Sequence, residues 1–298
     1  MKKIKLIYNP VAGDRSFLDY LDEFIKRFQC NYFLEIYRCS RERKIIYELE
    51  NLSMDQDKYK AILVAGGDGT VNKVVNGMMK KKIELPLGII PAGTTNDLAT
   101  YLNIPSDFKQ CFEILLQNNQ KQIDVGKINN QFFINVCVGG LLSTIPHSTE
   151  TRFKNKLGRL AYYINSIKEF PNLKPLPIKL TTSSDEINEE VIMFMVLNSN
   201  HAGGFKHLTR NSIINDGLFE FIAIKAKKLY RLPNILIKIF QNKYLQDDSI
   251  ITLQDNFFKI ELNNNQNTKN HCDIDGEKGP IFPLEISVKQ KALTVLTG

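Results

Sequence analysis

The five residues Gly66-Gly67-Asp68-Gly69-Thr70 combine what a metal-dependent phosphate site needs, a backbone stripped of side chains and a carboxylate. Glycines admit positive φ and expose successive N–H groups, so such a turn can close around an anion where a helix begins. Asp68 would repel that anion unless a divalent cation lies between them, which points to a nucleotide held with Mg²⁺. A glycine corner between strand and helix also occurs in α/β folds that bind nothing there. A second loop shifts the balance, because Gly93-Thr94-Thr95-Asn96-Asp97 repeats the pattern of glycine, hydroxyl and carboxylate after another apolar run.

Each loop needs a strand before it and a helix after it. Apolar runs at 62–65 and 87–90 supply the strands, and Val71, Val74, Val75 and Met78 show the helical period that follows the first loop. Upstream, residues 4–8 read as a strand ended by Asn9-Pro10 and Gly13, 17–28 as a helix, 32–37 as a strand and 41–52 as a helix. A further helix is expected at 107–117. Strands alternating with helices predict a mostly parallel sheet, whose ligands bind beyond the carboxyl ends of the strands. Asn9, Gly13, residues 66–70 and residues 93–97 all fall at that edge.

From residue 122 the rhythm changes. Strands are expected at 123–128, 132–138, 178–182, 191–197, 218–224, 257–262 and 284–288, with helices at 153–170 and 229–243 and polar turns between them. This predicts an α/β domain over residues 1–123 and a mostly antiparallel, β-rich domain over 124–298. Whether residues 293–298 stay with the second domain or return to the first is left open.

With 298 residues, 43% apolar and 24% charged, the chain reads as an ordinary globular protein. Its net charge of +7 favours anionic partners. Five cysteines, Cys30, Cys39, Cys111, Cys137 and Cys272, form no CxxC pair and suit reduced, buried thiols in a cytoplasm. The apolar run after Lys2-Lys3 breaks at Asn9-Pro10 without a cleavage site, and no apolar stretch approaches about 18 residues. His147, His201, His207 and His271 have no metal-ligand spacing, which argues against Zn²⁺. No nucleic-acid-binding module is visible, so nucleic acid is not an expected partner.

Asn9-Pro10-Val11-Ala12-Gly13, the Gly66–Thr70 loop and Pro91-Ala92-Gly93-Thr94-Thr95-Asn96-Asp97-Leu98-Ala99 together resemble the catalytic domain of the diacylglycerol kinase and sphingosine kinase superfamily. The soluble bacterial lipid kinases are the most similar members. The Gly-Gly-Asp-Gly piece alone is shared with NAD kinases and phosphofructokinases. The resemblance continues through Gln122-Ile123-Asp124-Val125-Gly126, Phe133-Ile134-Asn135-Val136 with Gly139-Gly140, Gly158-Arg159-Leu160-Ala161-Tyr162, Asn215-Asp216-Gly217-Leu218 and Asp273-Ile274-Asp275-Gly276-Glu277.

The resemblance implies an N-terminal α/β domain like that of NAD kinase and phosphofructokinase, then a β-sandwich, with the active site in a cleft between the two. It implies ATP and Mg²⁺, and transfer of the γ-phosphoryl group to a lipid hydroxyl, diacylglycerol giving phosphatidic acid. Glu277 would be the general base and Asp68 the Mg²⁺ ligand, direct or through water, with Asp97 and Asp124 organising the surrounding water and charge. Asn9, Gly13, Gly66, Gly67, Gly69, Thr70, Gly93, Thr94 and Asn96 would hold or shape the nucleotide. Asp216 and the Leu218 carbonyl would hold a structural cation. An NAD kinase-like enzyme is the alternative, disfavoured by the form of the second loop and by Asp-Gly-Glu; a catalytically silent nucleotide- or lipid-binding regulator is another, disfavoured by the intact carboxylates.

Two helices combine apolar stripes with basic residues. The 229–243 segment has Leu232, Ile235, Leu236, Ile239 and Phe240 on one stripe, with Lys225, Lys227, Lys228, Arg231, Lys238 and Lys243 around it. The stripes are expected to pack on the β domain. Because the resemblance supplies a lipid substrate, the basic clusters are expected to meet an anionic membrane from the cytoplasmic side. A homodimer is left open.

Overall fold

The computed structural model describes residues 1–39, 42–140, 175–203, 208–209, 212–226, 232–241, 243–244, 247–263 and 270–298, and the side chains of 42–44, 236 and 240 fall outside the description. The chain forms two compact units, Met1–Asp124 with Lys291–Gly298, and Val125–Gln290. It therefore leaves the first unit once and comes back for its last eight residues.

In the first unit, strands β1 (Lys3–Tyr8), β2 (Phe33–Arg38), β3 (Tyr59–Gly66) and β4 (Leu87–Pro91) pair in parallel in the order β2-β1-β3-β4. Both β3 and β4 are buried along their length, which is why they read as continuous apolar runs. Helices α1 (Leu21–Phe28), α2 (Glu42–Met54) and α3 (Asp68–Lys81) connect them, and α4 (Asp97–Tyr101) and α5 (Phe108–Gln117) follow β4. Phe24, Phe28 and Phe112 lock α1 to α5, with ring centroids 4.3 to 6.2 Å apart in stacked and edge-on pairs. The expected helix over 17–28 is divided, with a 3₁₀ turn at Ser16–Tyr20 before α1. Asp107 caps α5 by accepting the Gln110 N–H at 2.9 Å.

In the second unit the strands are antiparallel, as the polar turns between them foreshadow. They are β5 (Gln120–Ile128), which enters from the first unit, β6 (Gln131–Phe133), β7 (Val136–Gly140), β8 (Leu176–Thr181), β9 (Glu186–Leu197), β10 (Phe219–Lys225), β11 (Ile250–Asp255), β12 (Phe257–Leu262), β13 (His271–Ile274), β14 (Glu277–Ile281) and the start of β15 (Leu284–Leu296). Strand β9 joins the others, pairing with β7, β8 and β10. One face buries Phe133, Phe194, Phe221, Phe258 and Ile286 in the interior of a β-sandwich. The other buries Met193, Met195 and Ile222 under Leu232, Ile235 and Ile239 of helix α6 (Leu232–Phe240). Those three residues of the apolar stripe thus pack on the β unit.

The end of β15 pairs in parallel with β4 in the first unit, Val295 opposite Leu87. Strands β11, β13 and β14 carry no expectation from the sequence. The expected helix at 153–170, its Gly158–Tyr162 motif, His147, His207, Lys227, Lys228 and Arg231 lie outside the described residues. Lys225 and Lys238 are paired with Glu189 and Asp247. Cys39, Cys111, Cys137 and Cys272 are buried, Cys30 is exposed, and all five are free thiols. No helix among the described residues is long and apolar enough to cross a membrane.

Candidate active site

Three loops of the first unit follow parallel strands. After β1, Asn9 donates its N–H to the Ala65 carbonyl (2.9 Å) and its side-chain Nδ2 to Thr70 Oγ1 (3.1 Å). Thr70 is buried in the first turn of α3, so Asn9 ties the first loop to the start of that helix. Gly13 has φ +54°, and a Cβ there would come within 2.4 Å of the Ala92 carbonyl oxygen. The first loop therefore lies against the third.

The second and third loops touch backbone to backbone. A Cβ on Gly93 would fall 2.3 Å from the Gly67 Cα, and one on Gly67 would fall 3.2 Å from the Gly93 Cα. Gly66 is just as closed, with a Cβ 2.7 Å from that of Thr70. The expectation of positive φ is corrected here. Gly67 is extended at φ −89°, ψ −179°, and none of Gly66, Gly67, Gly69 and Gly93 has positive φ. Gly67 and Gly93 are glycines because two loops meet with no space for a side chain, and Gly66 because Thr70 fills the space beside it. Helix α3 also starts sooner than expected, at Asp68, with Gly67 as its N-cap and no side chain capping it. Its first N–H groups are the kind that bind anions.

Asp68 faces the third loop. Its Oδ1 accepts the Asp97 N–H at 2.7 Å. The N-cap of α4, Asn96, is left-handed at φ +52° and spends its side chain on Gly93, accepting its N–H at 2.9 Å and donating to its carbonyl at 2.8 Å. Asp68 thus caps α4 from another loop. Burial pushes the Asp68 carboxyl up, against the pull of N–H groups from Asp97, Asn96 and Leu98. Asp97 is buried at the start of α4, and Thr94 is exposed at the loop's tip. Asp124 on β5 is fully enclosed, and its Oδ1 accepts the Lys291 N–H at 2.6 Å, where Lys291 has φ +51°.

The second unit holds the remaining expected residues. Asp216 Oδ1 accepts the Leu218 N–H at 3.0 Å around Gly217 at φ +81°, a local turn with Leu218 exposed. Burial and then the Asp216 charge raise the carboxyl of nearby Glu220. Among the described residues no group of three or more His, Cys, Asp or Glu is placed to hold a metal, so a cation at Asp216 would depend on carbonyls. Glu277 is half-buried at the start of β14, opposite Ile274 of β13. The two-residue connection between them, Asp275-Gly276, has positive φ at both positions and so matches the tight turns that Asp-Gly favours. The sequence reading missed that Asp275 is buried and accepts N–H bonds from Ile134, Asn135 and Val136. The only available signal was the pair of Asp residues flanking Ile274.

Residues 3–128 match the family model described as the diacylglycerol kinase catalytic domain, and residues 140–297 match that of the YegS C-terminal NAD kinase beta sandwich-like domain. A diacylglycerol kinase of Bacillus subtilis (strain 168) is 30% identical over 287 residues, covering 96% of this chain and 93% of that protein. One from Staphylococcus haemolyticus (strain JCSC1435) is 30% identical over 298 residues, covering 99% and 88%. A crystal structure from Bacillus anthracis str. Sterne, provisionally named a diacylglycerol kinase, superposes with a TM-score of 0.83 at 26% identity and covers 100% of this chain and 97% of its own.

Proposed function

This chain belongs to the diacylglycerol kinase catalytic-domain family and is a lipid kinase, and on that premise we propose that it transfers the γ-phosphoryl group of ATP to the free hydroxyl of diacylglycerol, giving phosphatidic acid. The observation that supports this most is the contact of Gly67 with Gly93, which sets the start of α3 and the half-buried Asp68 against the third loop.

In this reading the first N–H groups of α3 receive phosphate oxygens, and Thr94 adds a hydroxyl donor. Thr70 is steadied by Asn9, so it orders the helix start. Gly13, Gly66, Gly67, Gly69, Gly93 and Asn96 shape the cradle. Carboxylates are the hard oxygen donors that Mg²⁺ takes, and the burial that raises the Asp68 carboxyl is a cost that a neighbouring cation offsets. The residues therefore fit Mg²⁺. Asp68 would hold it directly or through water, with Asp97 and the enclosed Asp124 shaping the surrounding charge. When bound, the ion neutralises charge on the transferring phosphates.

Glu277 takes the proton of the lipid hydroxyl as that oxygen bonds to the γ-phosphorus and the bond to the β-phosphate oxygen breaks, releasing ADP. A structural cation at Asp216 and the Leu218 carbonyl belongs to the same reading. So does a peripheral encounter with anionic lipid on the cytoplasmic side of a membrane, with Lys227 and Lys228 as the residues to test.

The test is transfer of radiolabelled γ-phosphate to diacylglycerol, monoacylglycerol, ceramide, sphingosine and NAD, with Glu277→Gln in parallel. Labelled phosphatidic acid is expected. Turnover of Glu277→Gln is expected to fall by roughly 10² to 10⁴, the range of a lost general base, with nucleotide affinity unchanged. Label on NAD, or on ceramide or sphingosine in preference to diacylglycerol, would overturn the substrate, and equal loss of turnover and nucleotide affinity would overturn the role of Glu277.

A further inference from the structure

A carboxylate buried beside a catalytic turn either takes part in the chemistry or holds the turn, and its hydrogen bonds tell which. Asp275 is 7% exposed. Its Oδ2 accepts the Ile134 N–H at 2.7 Å, and its Oδ1 accepts those of Asn135 at 2.8 Å and Val136 at 2.9 Å. Three successive N–H groups, in the bend between β6 and β7, thus converge on one side chain. Its own N–H donates to the Val136 carbonyl at 3.0 Å. Both oxygens are engaged in charge-assisted bonds, the arrangement that makes a buried carboxylate tolerable.

The bend is fixed from its other side. Asn198, 1% exposed at the end of β9, donates Nδ2 to the Ile134 carbonyl at 2.7 Å and its N–H to the Asn135 carbonyl at 2.9 Å. Within the turn, Asp273 Oδ1 accepts the Gly276 N–H at 2.9 Å. An Asp-Gly hairpin needs none of this, because an exposed Asp satisfies the same φ angles. Here the turn is anchored to β7 and β9 through a side chain, and Glu277 is the next residue but one.

We infer that Asp275 is a positioning residue for Glu277: its carboxylate, seated on the N–H groups of residues 134–136, fixes where the base stands relative to the acceptor hydroxyl. The inference rests on Glu277 being the base. Misplacing a reacting group by about 1 Å costs on the order of a hundredfold in rate. Asp275→Asn keeps one acceptor oxygen and sets an NH₂ against a backbone N–H, so the turn is displaced while the volume is kept.

The test is a double-mutant cycle in the full chain, reading turnover with radiolabelled ATP and diacylglycerol, together with nucleotide affinity and melting temperature. Asp275→Asn alone is expected to lose roughly 10 to 100-fold in turnover, with nucleotide affinity unchanged. In the Glu277→Gln background the same change is expected to cost nothing further, because the residue through which Asp275 acts has gone. An unchanged turnover for Asp275→Asn, or the same fold-loss in both backgrounds, overturns the inference while the base reading stands. If Glu277→Gln retains full turnover, the base reading itself fails and this inference fails with it. Should Asp275→Asn not fold, Gly276→Ala displaces the same turn with the carboxylate in place, and its loss must likewise vanish in the Glu277→Gln background.

Discussion

A Cβ placed on Gly93 in the first unit would lie 2.3 Å from the Gly67 Cα, whereas one placed on Gly276 in the second unit would have nothing within 4 Å. Gly276 instead has φ +81°, an angle that Gly93 does not share. At Gly93 the glycine serves space, and at Gly276 it serves backbone conformation. The glycine loops of the first unit are thus a contact between main chains, built from what is missing. The Asp-Gly-Glu turn is built from what is present, the carboxylate of Asp275 tying the hairpin to residues 134–136 and that of Asp273 closing the turn itself. The two halves should therefore fail differently when altered.

Gly93→Ala forces two backbones apart, and no rotamer relieves it. It is expected to cost about 3 kcal/mol, the upper range for overpacking, and to abolish nucleotide binding; a melting curve and nucleotide titration check this, and a near-native result would break the distinction. Asp68→Asn sharpens it. Asparagine can still accept the Asp97 N–H, so the cap survives but the charge does not. Stability should change by under about 1 kcal/mol, while kcat/KM with Mg-ATP falls by roughly 10 to 100-fold; a loss of stability without a loss of rate would make Asp68 a cap and nothing more. The smallest effect on nucleotide binding is expected at Gly276→Ala, which penalises a left-handed turn by about 1 to 2 kcal/mol of stability. Nucleotide affinity should be unaffected, and a titration showing it reduced would refute the separation of the two halves.

The same contrast explains what could be read from the sequence. Strands β1, β3 and β4 are apolar runs with their whole neighbourhood in the local pattern, so they were legible. The motifs were legible too, because each is contiguous. The reason for the glycines was not: Gly67 and Gly93 are 26 positions apart, and only their meeting shows that space is what they supply. Asp275 was hidden in the same way, since a sequence shows an Asp-Gly turn but not the N–H groups of residues 134–136. Strands β13 and β14 escaped notice because His271–Ile274 and Glu277–Ile281 are short, polar and interrupted by Gly279 and Pro280. In the 3₁₀ turn before α1, Phe17 is buried and Leu18 is 40% exposed, so apolar spacing alone did not separate it from the helix.

The return of residues 291–298 to the first unit bears on how the protein is made. A ribosome delivers β1 to β4 first, yet the strand that pairs with β4 is translated after the entire β-sandwich. Until it arrives, Leu87 lacks its neighbour Val295, and Asp124 lacks an N–H donor that lies 167 residues downstream. The nascent first unit must wait with an open sheet edge, which chaperones could occupy, while its sister folds. Competence to bind nucleotide should appear late in synthesis, as a single step near the emergence of residue 296.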